Sequence, residues 1–260
     1  MNVSSALPHT RNASILNFAM PVVRLGNTEI EYTVVHSKRA RNIRLQIDID
    51  DGVTLHVPPG CRESHARKIL FEKERWLLKK VDEFRSLRAE REMRLKRARR
   101  EFLYLGKIYP IEIERTATKA LHGGLRNGRF VVEAPKDVSL RVVQAHYPAL
   151  FEKWYRQQAR LLIPRRVQIL AKQFGFRYRK VFIKNQKTRW GSCSRAGNLN
   201  FSCRLLMAPP RIVDAVIIHE LAHLRYMNHS EKFWNLVASM NPAYEEHEAW
   251  LKQHEHLLIL

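Results

Sequence analysis

The segment Ile217-Ile218-His219-Glu220-Leu221-Ala222-His223 constrains this chain more than any other stretch. Apolar residues from Ala215 to Ile218 lead into it, and Pro209-Pro210 stand shortly before. Proline suits the first turn of a helix, so the pattern predicts a largely buried helix from Arg211 to about Met227. A buried helix must satisfy whatever polar side chains it carries. His219 and His223 are four residues apart, which places them on one helix face about 6 Å apart along the axis. Two imidazoles so placed can converge on a single metal ion. Glu220 projects to the side, within reach of a metal-activated water but outside the coordination positions. That geometry is why the His-Glu-x-x-His spacing suits zinc hydrolysis.

A catalytic zinc needs a third protein ligand and an open position. His229 comes six residues after His223, in Met227-Asn228-His229-Ser230. The helix must end for His229 to turn back, and Asn228, tolerant of left-handed dihedrals, is the expected stop. Ser230 is the expected N-cap of a short helix through Val237, and Pro242 opens a last one. With twelve histidines in the chain, a bare pair four apart carries little by itself. The buried setting and the third histidine at a helix-ending turn carry more. The reading is one Zn2+ on His219, His223 and His229, with Glu220 as the general base.

Arg189, Ser192, Tyr226, Tyr244 and His247 are candidates for stabilising a transition state. Arg189, Trp190, Ser192 and Tyr226 are the candidate substrate-binding residues. Trp190 and Cys193 read equally well as a packed strand edge. His247, His254 and His256 read as surface residues rather than ligands.

The rest of the chain sets the frame. Its 260 residues, 45% apolar, suffice for one good-sized core or a core with a smaller lobe. No apolar run is long enough to cross a membrane. The stretch Ile15 to Val23 is interrupted by Asn17 and Pro21 and does not read as an export signal. Three cysteines, Cys61, Cys193 and Cys203, do not make a disulfide scaffold, so a reducing cytoplasmic setting is expected. The net charge is +21, and from Arg211 onward four Lys or Arg face seven Asp or Glu, which leaves +24 on the first 210 residues. So basic a region favours anionic partners, nucleic acid or another polyanion among them.

Alternation at Ile30, Tyr32, Val34, then Ile43 to Ile49, then Val53 to Val57 predicts a half-buried sheet with a turn at Asp51-Gly52. Apolar residues from Ile69 to Leu87 recur at helical spacing within one long helix or two over residues 62–100, whose Arg-rich end reads as a solvated face. Strands are expected over 102–134, with turns at Gly106, Gly123-Gly124 and Asn127-Gly128. A helix is expected from Val138 to Phe174, kinked or divided at Pro164 and stopped by Gly175. Tyr178 to Ile183 read as a strand, and a strand–turn–strand unit comes next about Gly197-Asn198. No internal repeat is evident.

With these residues assembled, the chain resembles the YgjP-like metallopeptidase-domain family, related to the wider zincins and to SprT/WLM-type proteases. The likeness covers roughly residues 177–250. It rests on Lys187-Thr188-Arg189-Trp190-Gly191-Ser192-Cys193, on the His219 to His223 motif, and on Asn228-His229-Ser230 followed by Phe233-Trp234. The first 175 residues fit that family's basic, strand-rich leader only loosely. Tyr226 stands where a metzincin has glycine, so the likeness to metzincins is one of ligand spacing alone. The resemblance implies a zinc hydrolase with the same three ligands and the same base. It also implies an α+β fold, in which a zincin-like domain over residues 144–260 packs its metal-bearing helix on a small sheet. A loose tail (1–23) and a basic strand-helix-strand region with a long helix (24–143) precede it.

Three functions remain open at this point. A metallopeptidase fits the ligand set. A metal-dependent nucleoside-triphosphate pyrophosphohydrolase would use the basic region to collect a polyphosphate. A nucleic-acid-binding protein would hold a structural zinc completed by Cys193 or Cys203.

Overall fold

The computed structural model describes residues 21–186 and 188–260. Among them lie eleven strands in three sheets and seven α-helices. Among the described residues no helix is long and apolar enough to cross a membrane. Contacts divide the chain into two compact units, one ending at Ala89 and the other running Glu90–Leu260. Most of the expected tail 1–23, and of the Ile15 to Val23 stretch, lies outside the described residues.

In the first unit the alternating segments form β1 (Val22–Leu25), β2 (Thr28–His36), β3 (Arg44–Asp48) and β4 (Gly52–Val57). The order is β1-β2-β4-β3, with β2 and β4 parallel and the outer pairs antiparallel. The period of two places Val23, Leu25, Ile30, Tyr32, Val53, Leu55 and Val57 in one core. The helical stretch is two helices, α1 (Glu63–Glu72) and α2 (Glu74–Arg97), broken at Lys73. Leu70 of α1 and Leu77 and Val81 of α2 close that core. Beyond Val81 no residue of α2 is fully buried, as its arginine-rich sequence requires.

The second unit opens with β5 (Glu101–Tyr104), β6 (Lys107–Thr116), β7 (His122–Arg126) and β8 (Arg129–Pro135). Their order, β5-β6-β8-β7, again has a parallel central pair and antiparallel flanks. The arrangement of the first sheet therefore recurs, although no repeat is evident in the sequence. Gly123-Gly124 is not a turn; both residues lie inside β7. A Cβ on Gly123 would stand 2.8 Å from the ring of Phe130, so a close approach, not a reversal, places glycine there. Asn127 and Gly128, both at positive φ, make the turn into β8.

The next helices are α3 (Leu140–Ala145) and α4 (Tyr147–Phe174). The division falls at His146, ahead of the first-turn proline of α4, and Pro164 sits inside an unbroken helix. Gly175, at φ 72°, ends it. Phe151, Trp154 and Tyr155 of α4 enclose Phe102, whose ring also stacks on Phe130 at 3.9 Å between centroids. Strands β5–β8 thus share their core with α4. The boundary expected near Gln144 falls within the second unit, and the contact division falls inside α2.

A third sheet, ordered β10-β11-β9, contains β9 (Lys180–Lys184), β10 (Gly191–Cys193) and β11 (Asn198–Ser202). A 3-10 turn over Cys203–Met207 leads to α5 (Pro210–Ala222), then α6 (Glu231–Met240) and α7 (Tyr244–His254). Two groups fix α5. Arg166 of α4 makes a two-pronged pair with its Asp214, at 2.6 and 2.7 Å. The turn ahead of it accepts backbone bonds from Leu105 and Gly106.

Candidate metal centre

Helix α5 buries Ile212, Val213, Val216, Ile217, Ile218 and Leu221, so the polar residues at its C-terminal end are held in an apolar frame. His219 and His223 lie one helical turn apart, with ring centroids 4.9 Å apart. The helix ends at Ala222, and backbone bonds from Leu224, Arg225 and Tyr226 wind the chain into a turn. Asn228 is not a left-handed stop: among the described residues only Leu105 and Asn127 combine a side chain with positive φ. The turn of residues 223–226 does that work, and His229 comes back to the helix face. Its Nε2 lies 3.1 Å from Nε2 of His219. The ligand atoms of His219, His223 and His229 all lie within 4.8 Å of one another.

The surroundings favour neutral imidazoles. Burial, and then the neighbouring histidines, push His219 down to about 3. Burial also lowers His223 and His229. Nδ1 of His223 lies 3.0 Å from the carbonyl oxygen of Tyr226, which fixes that nitrogen as the donor and leaves Nε2 as a lone-pair ligand. Phe233 of α6, fully buried, stands beneath all three rings with centroids 4.6 to 5.0 Å away. Trp234 stacks on His229 at 5.5 Å. Nothing in their spacing alone marks Phe233 and Trp234 as the floor and wall of the site.

Glu220 is 5% exposed, and burial raises its carboxyl to about 8 against the opposing charge of Arg189. Its Oε2 is buried with no hydrogen-bond partner among the described residues. Such an orphan is costly unless a cation or a water meets it. Strand β10 runs directly over this carboxyl. A Cβ on Gly191 would stand 2.5 Å from Glu220 Oε1, so only glycine lets the strand lie so close. Sequence reasoning missed this role, although Gly191 stands inside the Trp190-Gly191-Ser192 run.

Three neutral imidazole nitrogens within 4.8 Å of one another are a donor set that fits a borderline-soft divalent cation such as zinc. No cysteine and no carboxylate joins the three histidines in this group among the described residues.

The other expected site residues have varied settings. Arg189 is exposed and acts on Glu220 through charge. Trp190 is half-buried against the main core and donates to Glu255. Ser192 bonds Asn200 within the sheet at 3.3 Å. The Tyr226 ring packs on the small core of Ala222, Phe233 and Val237. Tyr244 stacks on Trp234 and donates to Glu245. His247 is half-buried with an Nδ1 that has no hydrogen-bond partner among the described residues, and His254 bonds the Trp250 carbonyl. His256 is buried, not a surface residue, and meets Glu90 at 2.8 Å. Cys203 is fully buried, Cys193 half-buried, and both are free thiols.

A family model described as the YgjP-like metallopeptidase domain matches residues 41–254. No curated protein matches the chain. Among solved structures, the crystal structure of the metallopeptidase zymogen of Pyrococcus abyssi abylysin is similar over 35% of this chain and 94% of that one, with 21% identity and a TM-score of 0.33.

Proposed function

The chain belongs to the YgjP-like metallopeptidase-domain family, a family of metal-dependent hydrolases, and from that premise we propose that it is a zinc peptidase. His219, His223 and His229 would hold one ion, and Glu220 would be the general base. The observation that carries the reading is the meeting of three ligand atoms within 4.8 Å beside a buried carboxyl oxygen with no partner. When bound, zinc supplies Lewis-acid activation of water and of the scissile carbonyl.

The residues themselves do the rest. The Tyr226 carbonyl holds His223 in the ligating tautomer. Burial disfavours ionised Glu220; Arg189, and a dication at the imidazoles, favour it. The ionised carboxylate takes the proton of the attacking water at Oε2 and returns it to the leaving amine. Gly191 keeps β10 against Glu220, so a substrate along that strand brings its carbonyl to the proton-transferring group.

Strand β10 is also the argument for a peptide. It is an edge strand of its sheet. Trp190 and Ser194 bond across to Ser202 and Asn198, so the antiparallel register turns the backbone groups of Gly191 and Cys193 outward. An extended peptide can pair with those groups as an added strand. The reading of the domain as zincin-like rests on this placement of an edge strand beside the metal-bearing helix. The metals of phosphoryl transfer usually sit among carboxylates as Mg2+ or Mn2+, and no carboxylate belongs to the ligand group among the described residues. The same group holds no cysteine, which weighs against a closed structural zinc.

The test is zinc-loaded protein on casein and on a nucleotide panel, with Glu220→Gln beside it. The variant should keep its zinc and lose roughly 10²- to 10⁴-fold in peptide turnover. Full peptidase activity in that variant would remove Glu220 from its role.

A further inference from the structure

Strand β10 leads from Glu220 into the turn Ser194–Gly197, and that turn borders a cleft of about 430 Å³ that reaches His223. Two guanidinium groups line it, Arg177 ahead of β9 and Arg195 on the turn. Leu224 and Met227, from the turn after α5, supply its apolar part. Both arginines are exposed, and neither side chain has a hydrogen-bond or ion-pair partner among the described residues. No carboxylate lines the cleft. Two further arginines adjoin lining residues along the chain or through the backbone. Arg179 bonds Gly197 through its backbone, and the Arg225 guanidinium lies 5.6 Å from the centre of the Phe176 ring. This concentration of positive charge is unexpected beside the part of the chain that is acidic from Arg211 onward.

We propose that this cleft is a specificity subsite that takes an acidic side chain of the substrate, glutamate in preference to aspartate. The proposal rests on the peptidase reading. A peptide paired with the outward groups of Gly191 and Cys193 continues along β10 towards Arg195. Arg195 stands on the turn just beyond the end of β10, and the cleft runs from that turn to His223, so it meets a side chain within a few positions of the scissile bond. A carboxylate there accepts from Arg177 and Arg195, which have no other partner to give up. Leu224 and Met227 cover the methylene stem, and the longer stem of glutamate uses them better than aspartate does.

The experiment uses quenched fluorescent peptides that differ only in having Glu, Asp, Gln or Lys at each position flanking the cleavage site, and Glu should exceed Asp at the position the cleft reads. They are read in two ways: kcat/KM with zinc-loaded protein, and binding by anisotropy to zinc-loaded Glu220→Gln. The Glu peptide should exceed the Lys peptide by tenfold or more in both readouts at one position. Arg195→Glu combined with Arg177→Glu should reverse that preference with zinc content unchanged, and Arg195→Gln should weaken it. Cleavage without charge preference, or a preference untouched by both variants, overturns the subsite and leaves the peptidase reading standing. If no peptide is cleaved or bound, the peptidase reading fails and the subsite falls with it. If a nucleoside triphosphate binds the Glu220→Gln protein through Arg195 while peptides do not, the cleft is a phosphate site and the proposal is wrong.

Discussion

Sheet β1-β2-β4-β3 is succeeded along the chain by a short helix and a long one, and so is sheet β5-β6-β8-β7. Both sheets have a parallel central pair and antiparallel flanks, and the long helices, α2 and α4, occupy the same place in the two sequences of elements. Their burial differs sharply. Helix α2 buries Leu77 and Val81, whereas α4 buries ten residues from Tyr147 to Ala171. The cause is the packing around each helix. Strands β9–β11 and helix α5 cover a second side of α4, and its apolar residues accordingly extend around more than one face. Ionisable chemistry follows the same division. The first unit's one buried polar residue among those described is Thr54, which does not ionise, while the second buries Ser202 and two ionisable residues, Glu220 and His256. One strand order thus serves as a plain small domain in one case and as the foundation of a reactive site in the other. A core thick enough to desolvate a carboxylic acid makes the difference.

The largest expected effect tests that thickness. Phe102→Ala removes a ring that touches Phe130, Phe151, Trp154 and Tyr155, and should cost about 3–5 kcal/mol in denaturant titration. A cost under about 1 kcal/mol would mean that the aromatic cluster is not what supports α4.

The next sharpens the contrast in buried charge, in protein stripped of metal. The native state holds Glu220 protonated up to about 8, whereas an unfolded chain ionises it near its ordinary value of 4.5. Its contribution to stability is therefore full below about 4.5 and is lost as pH rises towards 8. Relative to Glu220→Gln, the metal-free wild type should lose on the order of a few kcal/mol between pH 5 and pH 8. Parallel stability curves for the two proteins would contradict a desolvated Glu220.

The smallest effect concerns the other helix. Arg88 on α2 is exposed, and Arg88→Ala should shift stability by less than about 0.5 kcal/mol. A loss comparable to that of Phe102→Ala would show that the charged half of α2 is structurally engaged and would erase the difference between the two helices.

Much of this is legible wherever the information is local. The strands about Ile30 to Val57 come from a period of two, because one face of that sheet is solvated. The three histidines come from spacing, because all belong to one helix and the turn after it. The expectations that failed needed tertiary neighbours. Gly123 is a strand residue that must be glycine because the Phe130 ring lies over it, and Gly191 must be glycine because the Glu220 carboxyl lies against it. Neither partner is adjacent in sequence. The repeated strand order is hidden because the two stretches share little beyond turn pairs, Leu25-Gly26 with Leu105-Gly106 and Asp51-Gly52 with Asn127-Gly128. The burial of His256 escapes the sequence because its partner, Glu90, lies 166 residues away.

The central claim is that three imidazoles from α5 and the turn after it share one ion and leave a position free for chemistry. X-ray absorption at the zinc edge, with the metal counted per chain, tests it most directly. The expected result is one zinc per chain, a shell of three imidazole nitrogens and one non-protein oxygen at about 2.0–2.1 Å, and loss of one imidazole in His229→Ala. A sulfur in that shell, a shell unchanged by His229→Ala, or no bound transition metal at all would contradict it.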